Sequence, residues 1–230
     1  MTVPLKADAH PRPPVWLLVL AAIGGCLLVI VAVTRWGTPS DEFAYWLAAK
    51  RLLAGQPLYD PAIEQAGGFG LFYYPPPFAV AVLPLALLPE LAAVWLWFAL
   101  SAAMLVGGIA LMPVSATVRW ATLLLAGLSW PVAYALKLGQ VGPVLFLLFA
   151  VGWRWLDRPA TLGLTGAVGA IVKIQPGIVL AWALLTRRWR AVVIGGAVLV
   201  VAAAAATVIA GGPTIWSDYV ALLRKVSSPI

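Results

Sequence analysis

The sequence predicts an all-α, polytopic integral membrane protein with about seven transmembrane helices and one external loop that carries an amphipathic helix. Three observations carry that prediction. With 63% hydrophobic and 10% charged residues and a mean hydropathy of +0.99, the chain has too little polar surface to cover a water-facing globule. Residues 15–34 form an unbroken apolar run whose only ionisable side chain is Cys26, long enough to cross the hydrocarbon core as a helix. Further apolar runs follow at roughly 77–88, 91–112, 118–136, 141–156, 161–186 and 191–210.

The elements follow in order from an N-terminal tail, 1–14, read as cytoplasmic. It is Pro-rich and holds His10, which has no cysteine or second histidine to join it, and this argues against a zinc site. The first apolar run is too long for a secretory signal and no small-x-small cleavage site follows it, so it reads as an uncleaved span. Cys26, the lone cysteine, excludes an intrachain disulfide and reads as a small packing residue.

Next comes the one long polar interruption, 35–74, with Asp41, Glu42, Asp60 and Glu64 among the eight acidic residues of the chain. Pro39-Ser40 before Asp41-Glu42 predicts a helix start with Ser40 as cap and two carboxylates in the first turn, and Gly55 predicts the stop. At about 100° per residue, Phe43, Trp46, Leu47 and Leu53 fall opposite Asp41, while Tyr45, Ala48 and Leu52 share its side. Such a helix in the membrane surface buries its aromatics in lipid and turns Asp41 toward a cavity, with Lys50 snorkelling to headgroups. Asp60, between Tyr59 and Pro61, reads as a turn residue. Pro75, Pro76 and Pro77 lack amide donors and set an extended entry to the second span.

That second run is short, and the sixth is long, with Pro176 predicted to kink it. Gly163, Gly166 and Gly169 form a small-residue stripe for helix packing; no strand precedes it, as a nucleotide loop would require. Tryptophans such as Trp16, Trp95, Trp153, Trp189 and Trp216 stand near run ends, as an interfacial belt requires. Arg187-Arg188-Trp189-Arg190 is the densest basic loop and is assigned to the cytoplasm by the positive-inside rule. Counting spans back from it puts the polar loop outside, and Arg154, Asp157 and Arg158 outside with it. The net charge of +7 is spread over run ends, where it meets lipid headgroups, so no nucleic-acid partner is expected.

A chain this apolar has few places for polar chemistry. Asp41 has a plain reading, a carboxylate that complements the helix dipole, and a functional one, a general base at a membrane cavity; Glu42 points about 100° away and is the weaker candidate. Tyr73 and Tyr74 are either interface anchors or cavity residues with a hydroxyl toward a phosphate or sugar. Lys173, inside the sixth run between Val172 and Ile174, is costly in lipid and must face a polar cavity, or carbonyls freed by the break at Gln175-Pro176.

Five pieces in order resemble glycosyltransferase family 87. They are Asp41-Glu42-Phe43-Ala44-Tyr45-Trp46, Gly55-Gln56-Pro57-Leu58-Tyr59-Asp60, Phe72-Tyr73-Tyr74-Pro75-Pro76, Gly139-Gln140-Val141-Gly142 and Lys173-Ile174-Gln175-Pro176. The resemblance implies a GT-C-like fold over 15–210, including external loop 35–76, and a cell-membrane hexosyltransferase that takes a sugar, commonly mannose, from a polyprenyl-phosphate donor. It implies a glycolipid or glycan acceptor, inversion, and Asp41 as the catalytic base. Arg51, Tyr45, Tyr73, Tyr74, Gln140 and Lys173 are the substrate-binding candidates. Arg51 and Arg35 are first choices for the lipid phosphate and Arg119 is next. No cofactor is expected, and a divalent metal is left open. Family members usually continue through further spans, so 211–230 reads as an external segment of a fragment, a truncated product or a minimal member. The rival reading is a non-catalytic, lipid-binding membrane protein. A coupled transporter should carry several ionisable groups within its spans, and this chain does not.

Overall fold

The computed structural model describes residues 14–34, 41–59 and 71–227. Among these every element is helical. They are α1 (Val15–Thr34), α2 (Asp41–Leu53), α3 (Pro76–Ala81) with a 3-10 turn over Leu83–Leu87, α4 (Glu90–Leu111), α5 (Ala116–Leu128), α6 (Trp130–Lys137), α7 (Gly142–Arg154), α8 (Pro159–Val172), α9 (Ile178–Leu185), α10 (Trp189–Ile209) and α11 (Thr214–Ser227). Proline in the first turn starts α3, α6, α7 and α8, where its fixed φ suits the helix and its missing N–H leaves no bond unmade.

Two expectations about the spans are corrected. The run 77–88 does not form a spanning helix. Pro84 and Pro89 interrupt the hydrogen-bond ladder, leaving a 6-residue helix and a 3-10 turn. Both ends stay beside α2: Trp46 Nε1 donates to Leu88 O at 3.1 Å, and Tyr45 Oη donates to Tyr74 Oη at 2.9 Å. The run 161–186 is instead two helices, α8 and α9. Lys173 between them is extended (φ −153°, ψ 136°), and a 3-10 turn over Gln175–Gly177 follows. Proline disfavours helix at the residue before it and cannot donate within the turn.

One leg is thus lost early and one gained late, which moves the intervening segments to the other face. Arg154 Nη1 donates to Leu111 O at 3.4 Å, and Arg188 Nη1 donates to Leu156 O at 2.6 Å, so the ends of α4 and α7 gather with the α9–α10 turn. Arg154 and Arg158 therefore share a face with Arg187 to Arg190, where span counting separates them. Arg119, whose Nε donates to Met112 O at 3.1 Å, belongs to that arginine face as well.

By length and composition two described helices, α4 and α10, are able to cross a membrane, and α6 with α7 would be a third as one span bent by 114°. The other apolar helices are shorter, so this measure does not reach seven spans. Valines 193, 200, 201 and 208 of α10 are exposed over about two thirds or more of their surface, which suits lipid and not water. The glycine stripe packs as small residues allow. A Cβ on Gly163 would meet Ala191 O at 2.5 Å, and one on Gly169 would meet Pro176 Cβ at 2.8 Å.

Candidate active site

The N-terminus of α2 is docked on the corner between α6 and α7. Asp41 N donates to Leu138 O at 2.8 Å, and Trp97 Nε1 donates to Gly139 O at 2.7 Å. Gly139 has φ +63°, and a Cβ there would run into the Glu42 carboxylate, so the corner needs glycine twice over. Glu42 is buried against this backbone and is a structural partner of the corner.

The side of α2 that carries Asp41 faces the protein. Tyr45, Ala48 and Leu52 are buried there, while Phe43, Trp46 and Leu47 are partly covered and Leu53 is open. Tyr45 is fully buried at 0% exposure, and its ring meets Phe72, Tyr74, Phe78 and Trp97 edge-on, with centroids 5.0 to 6.5 Å away. Its hydroxyl donates to Tyr74 Oη at 2.9 Å. With Tyr59 holding the Tyr74 carbonyl, the pair fixes Tyr74 against α2.

Above this aromatic base lies a cavity of about 650 Å³. Asp41, Tyr73, Tyr74, Gln140 and Lys173 all line it, so five site candidates from four separate segments meet in one place. Burial pushes the Asp41 carboxyl above its ordinary pKa, and the Lys173 ammonium partly opposes that rise. Burial also pushes Tyr74 up to about 12, with the nearby Asp41 charge in the same direction and the hydrogen bond from Tyr45 against it, so Tyr74 stays a protonated hydroxyl at neutral pH. Tyr45 is raised well above the usual tyrosine range, first by burial.

The remaining candidates lie elsewhere. Tyr45 supports the cavity from beneath and does not line it. Arg51 is half-buried near the far end of α2, about 15 Å from Asp41 along the axis. Arg119 is on the opposite face. The expectations for Arg35, for Ser40 as cap and for Asp60 lie outside the described residues. Sequence reading missed Tyr134 on α6 and Tyr219 and Leu223 on α11, which also line the cavity. Ile215, Tyr219, Leu222 and Leu223 follow helical spacing, and that apolar stripe was the available signal. Beside the cavity a groove of about 920 Å³ runs between α7, α8 and α9, lined almost wholly by apolar side chains including Phe146, Phe149, Trp153 and Trp182. Leu145 lines both spaces, so one side chain separates groove and cavity.

The family model of glycosyltransferase family 87 matches residues 72–230. The chain belongs to glycosyltransferase family 87. Membership, together with helices apolar enough to span, marks this family 87 protein as a membrane glycosyltransferase acting on a donor and an acceptor. Tyr73, Tyr74, Gln140 and Lys173 fall within the match, and Asp41 lies upstream of it. No curated protein and no solved structure matches the chain.

Proposed function

We propose that this family 87 member is a multi-pass hexosyltransferase of the cell membrane that transfers mannose, with inversion, from a polyprenyl-phosphate donor to a glycolipid or glycan acceptor. The single observation that carries the reading is the meeting of Asp41 and Lys173 in one polar cavity, with an apolar groove beside it that shares Leu145. A carboxylate, a cation and a lipid-sized apolar channel are what transfer from a lipid phosphate needs.

In this mechanism the acceptor hydroxyl lies against Asp41. Its oxygen attacks the anomeric carbon while Asp41 takes its proton, and the bond from that carbon to the phosphate oxygen breaks with both electrons going to the departing polyprenyl phosphate. Lys173 offsets the charge of the leaving phosphate. Gln140 and the hydroxyls of Tyr73 and Tyr74 donate to sugar or phosphate oxygens, and the isoprenoid tail lies in the groove beyond Leu145. The phosphate role passes from Arg51 to Lys173 because Lys173 lines the cavity and Arg51 does not; Arg51 meets headgroups.

The test is release of polyprenyl phosphate from a polyprenyl-phosphate mannose donor by membranes carrying the protein. Asp41→Asn should lower the rate by about 100-fold to 10,000-fold, the usual contribution of a general base, with the protein still folded and inserted. A rate like that of the parent protein would overturn the assignment.

A further inference from the structure

We propose that the cavity between Arg187, Arg188 and Arg190, on the face opposite Asp41, binds the phosphate headgroup of an anionic lipid. This cavity holds about 430 Å³ and is lined by those three arginines together with Asp157, Pro159 and Trp189. Three guanidinium groups stand against one carboxylate, and that carboxylate lies 3.8 Å from Arg188. Arg188 is further held by its bond to Leu156 O and by stacking over Trp182 at 5.0 Å. Among the described residues neither Arg187 nor Arg190 has an ion-pair partner. The first turns of two helices, α8 at Pro159 and α10 at Trp189, border the same space, and the positive ends of their dipoles add to the potential there.

The backbone supplies an independent sign of function. Arg187 has φ +58° just after the end of α9, with Arg187 N bonded to Leu184 O at 3.0 Å and Arg188 N to Ala183 O at 2.8 Å. Helices that close in this way ordinarily place glycine in the left-handed position. An arginine here is strained, and strained residues are held where their side chains have work to do. A lipid fits better than a soluble anion because apolar surface surrounds the charge: Leu185 is 83% exposed, and Trp189 58%. A phosphodiester whose chains lie along those residues satisfies both halves of the surface. Leu162 lines this cavity and the apolar groove alike, so the cavity lies beside the groove.

The test uses the full chain in detergent, with native mass spectrometry and thermal unfolding, and phosphatidylglycerol, phosphatidylcholine and inorganic phosphate as probes. Phosphatidylglycerol should remain bound and raise the melting temperature more than the other two. Arg187→Gly with Arg190→Gln should weaken its retention roughly thirtyfold, two cations' worth, while Arg224→Gln with Lys225→Gln should change it little. Arg187→Gly alone relieves the left-handed strain and should leave the lipid-free protein at least as stable, so lost binding is not mistaken for unfolding. Unchanged phosphatidylglycerol retention in the double variant would overturn the proposal. Equal stabilisation by inorganic phosphate would overturn the lipid as the ligand.

Discussion

At the scale of single residues, Asp41 and Lys173 are coupled through the cavity, and the coupling has a sign that can be measured. Burial raises the Asp41 pKa and Lys173 opposes it. A general base must be ionised, so the acid limb of the pH profile of kcat/KM should lie above the ordinary carboxylate range. In Lys173→Met burial acts unopposed and the limb should move to higher pH, with a higher KM for donor; an unmoved limb would remove Lys173 from the electrostatics of Asp41. Stability follows from the same shift. A raised pKa means that the folded state holds the proton more tightly than the unfolded chain, so ionised Asp41 costs stability at neutral pH and the cost fades as pH falls through the folded-state pKa. Asp41→Asn should therefore melt higher than the parent at pH 7, and the gain should shrink in acid. Asp41 was legible as a candidate from its place at a helix start. The buried roles of Glu42 and Tyr45 were not, because a helical wheel shows which residues share a side and not which side the protein covers.

At the scale of elements, proline decides the path. The second apolar run looked like a span by hydropathy, yet its prolines leave too few consecutive backbone bonds for a helix of that length. The sixth run hid a break at Lys173 for the same reason, and that break brings the lysine to the cavity. The resulting path predicts which segments share a side of the membrane. In a Cys26→Ala background, cysteines at Arg158 and Arg188 should both resist an impermeant thiol reagent added to intact cells, and one at Gly212 should react. Span counting from hydropathy expects Arg158 to react, so labelling there decides between the two paths. Sequence reading assigns residues 211–230 no part in the site, yet Tyr59 and Tyr219 of α11 face each other at 5.4 Å and Tyr219 walls the cavity.

At the scale of the whole molecule, the proposed donor has a charged head for the polar cavity and a long tail for the apolar groove beside it, and the two spaces share Leu145. Val179 lines the groove away from the cavity, so Val179→Trp should narrow the channel without touching Asp41 or Lys173. The expected result is a raised KM for long polyprenyl donors, with short-chain donors much less affected and kcat preserved. Equal effects on both donors would place the tail elsewhere.

Composition alone determined that this chain belongs in lipid, since no arrangement of its few charged residues covers a soluble surface. Local spacing determined the start and stop of α2, and short motifs carried the family. Only the tertiary structure decided that Asp41, Tyr73, Tyr74, Gln140 and Lys173 share one cavity, because they come from segments far apart in the chain. It also put Tyr45 under full burial and left both Tyr45 and Arg51 out of the cavity lining. Those choices rest on packing between helices, on glycines such as Gly139 that admit a close carboxylate and on breaks such as Pro176 that redirect the chain. Hydropathy averages over such positions; the path of the backbone depends on each of them.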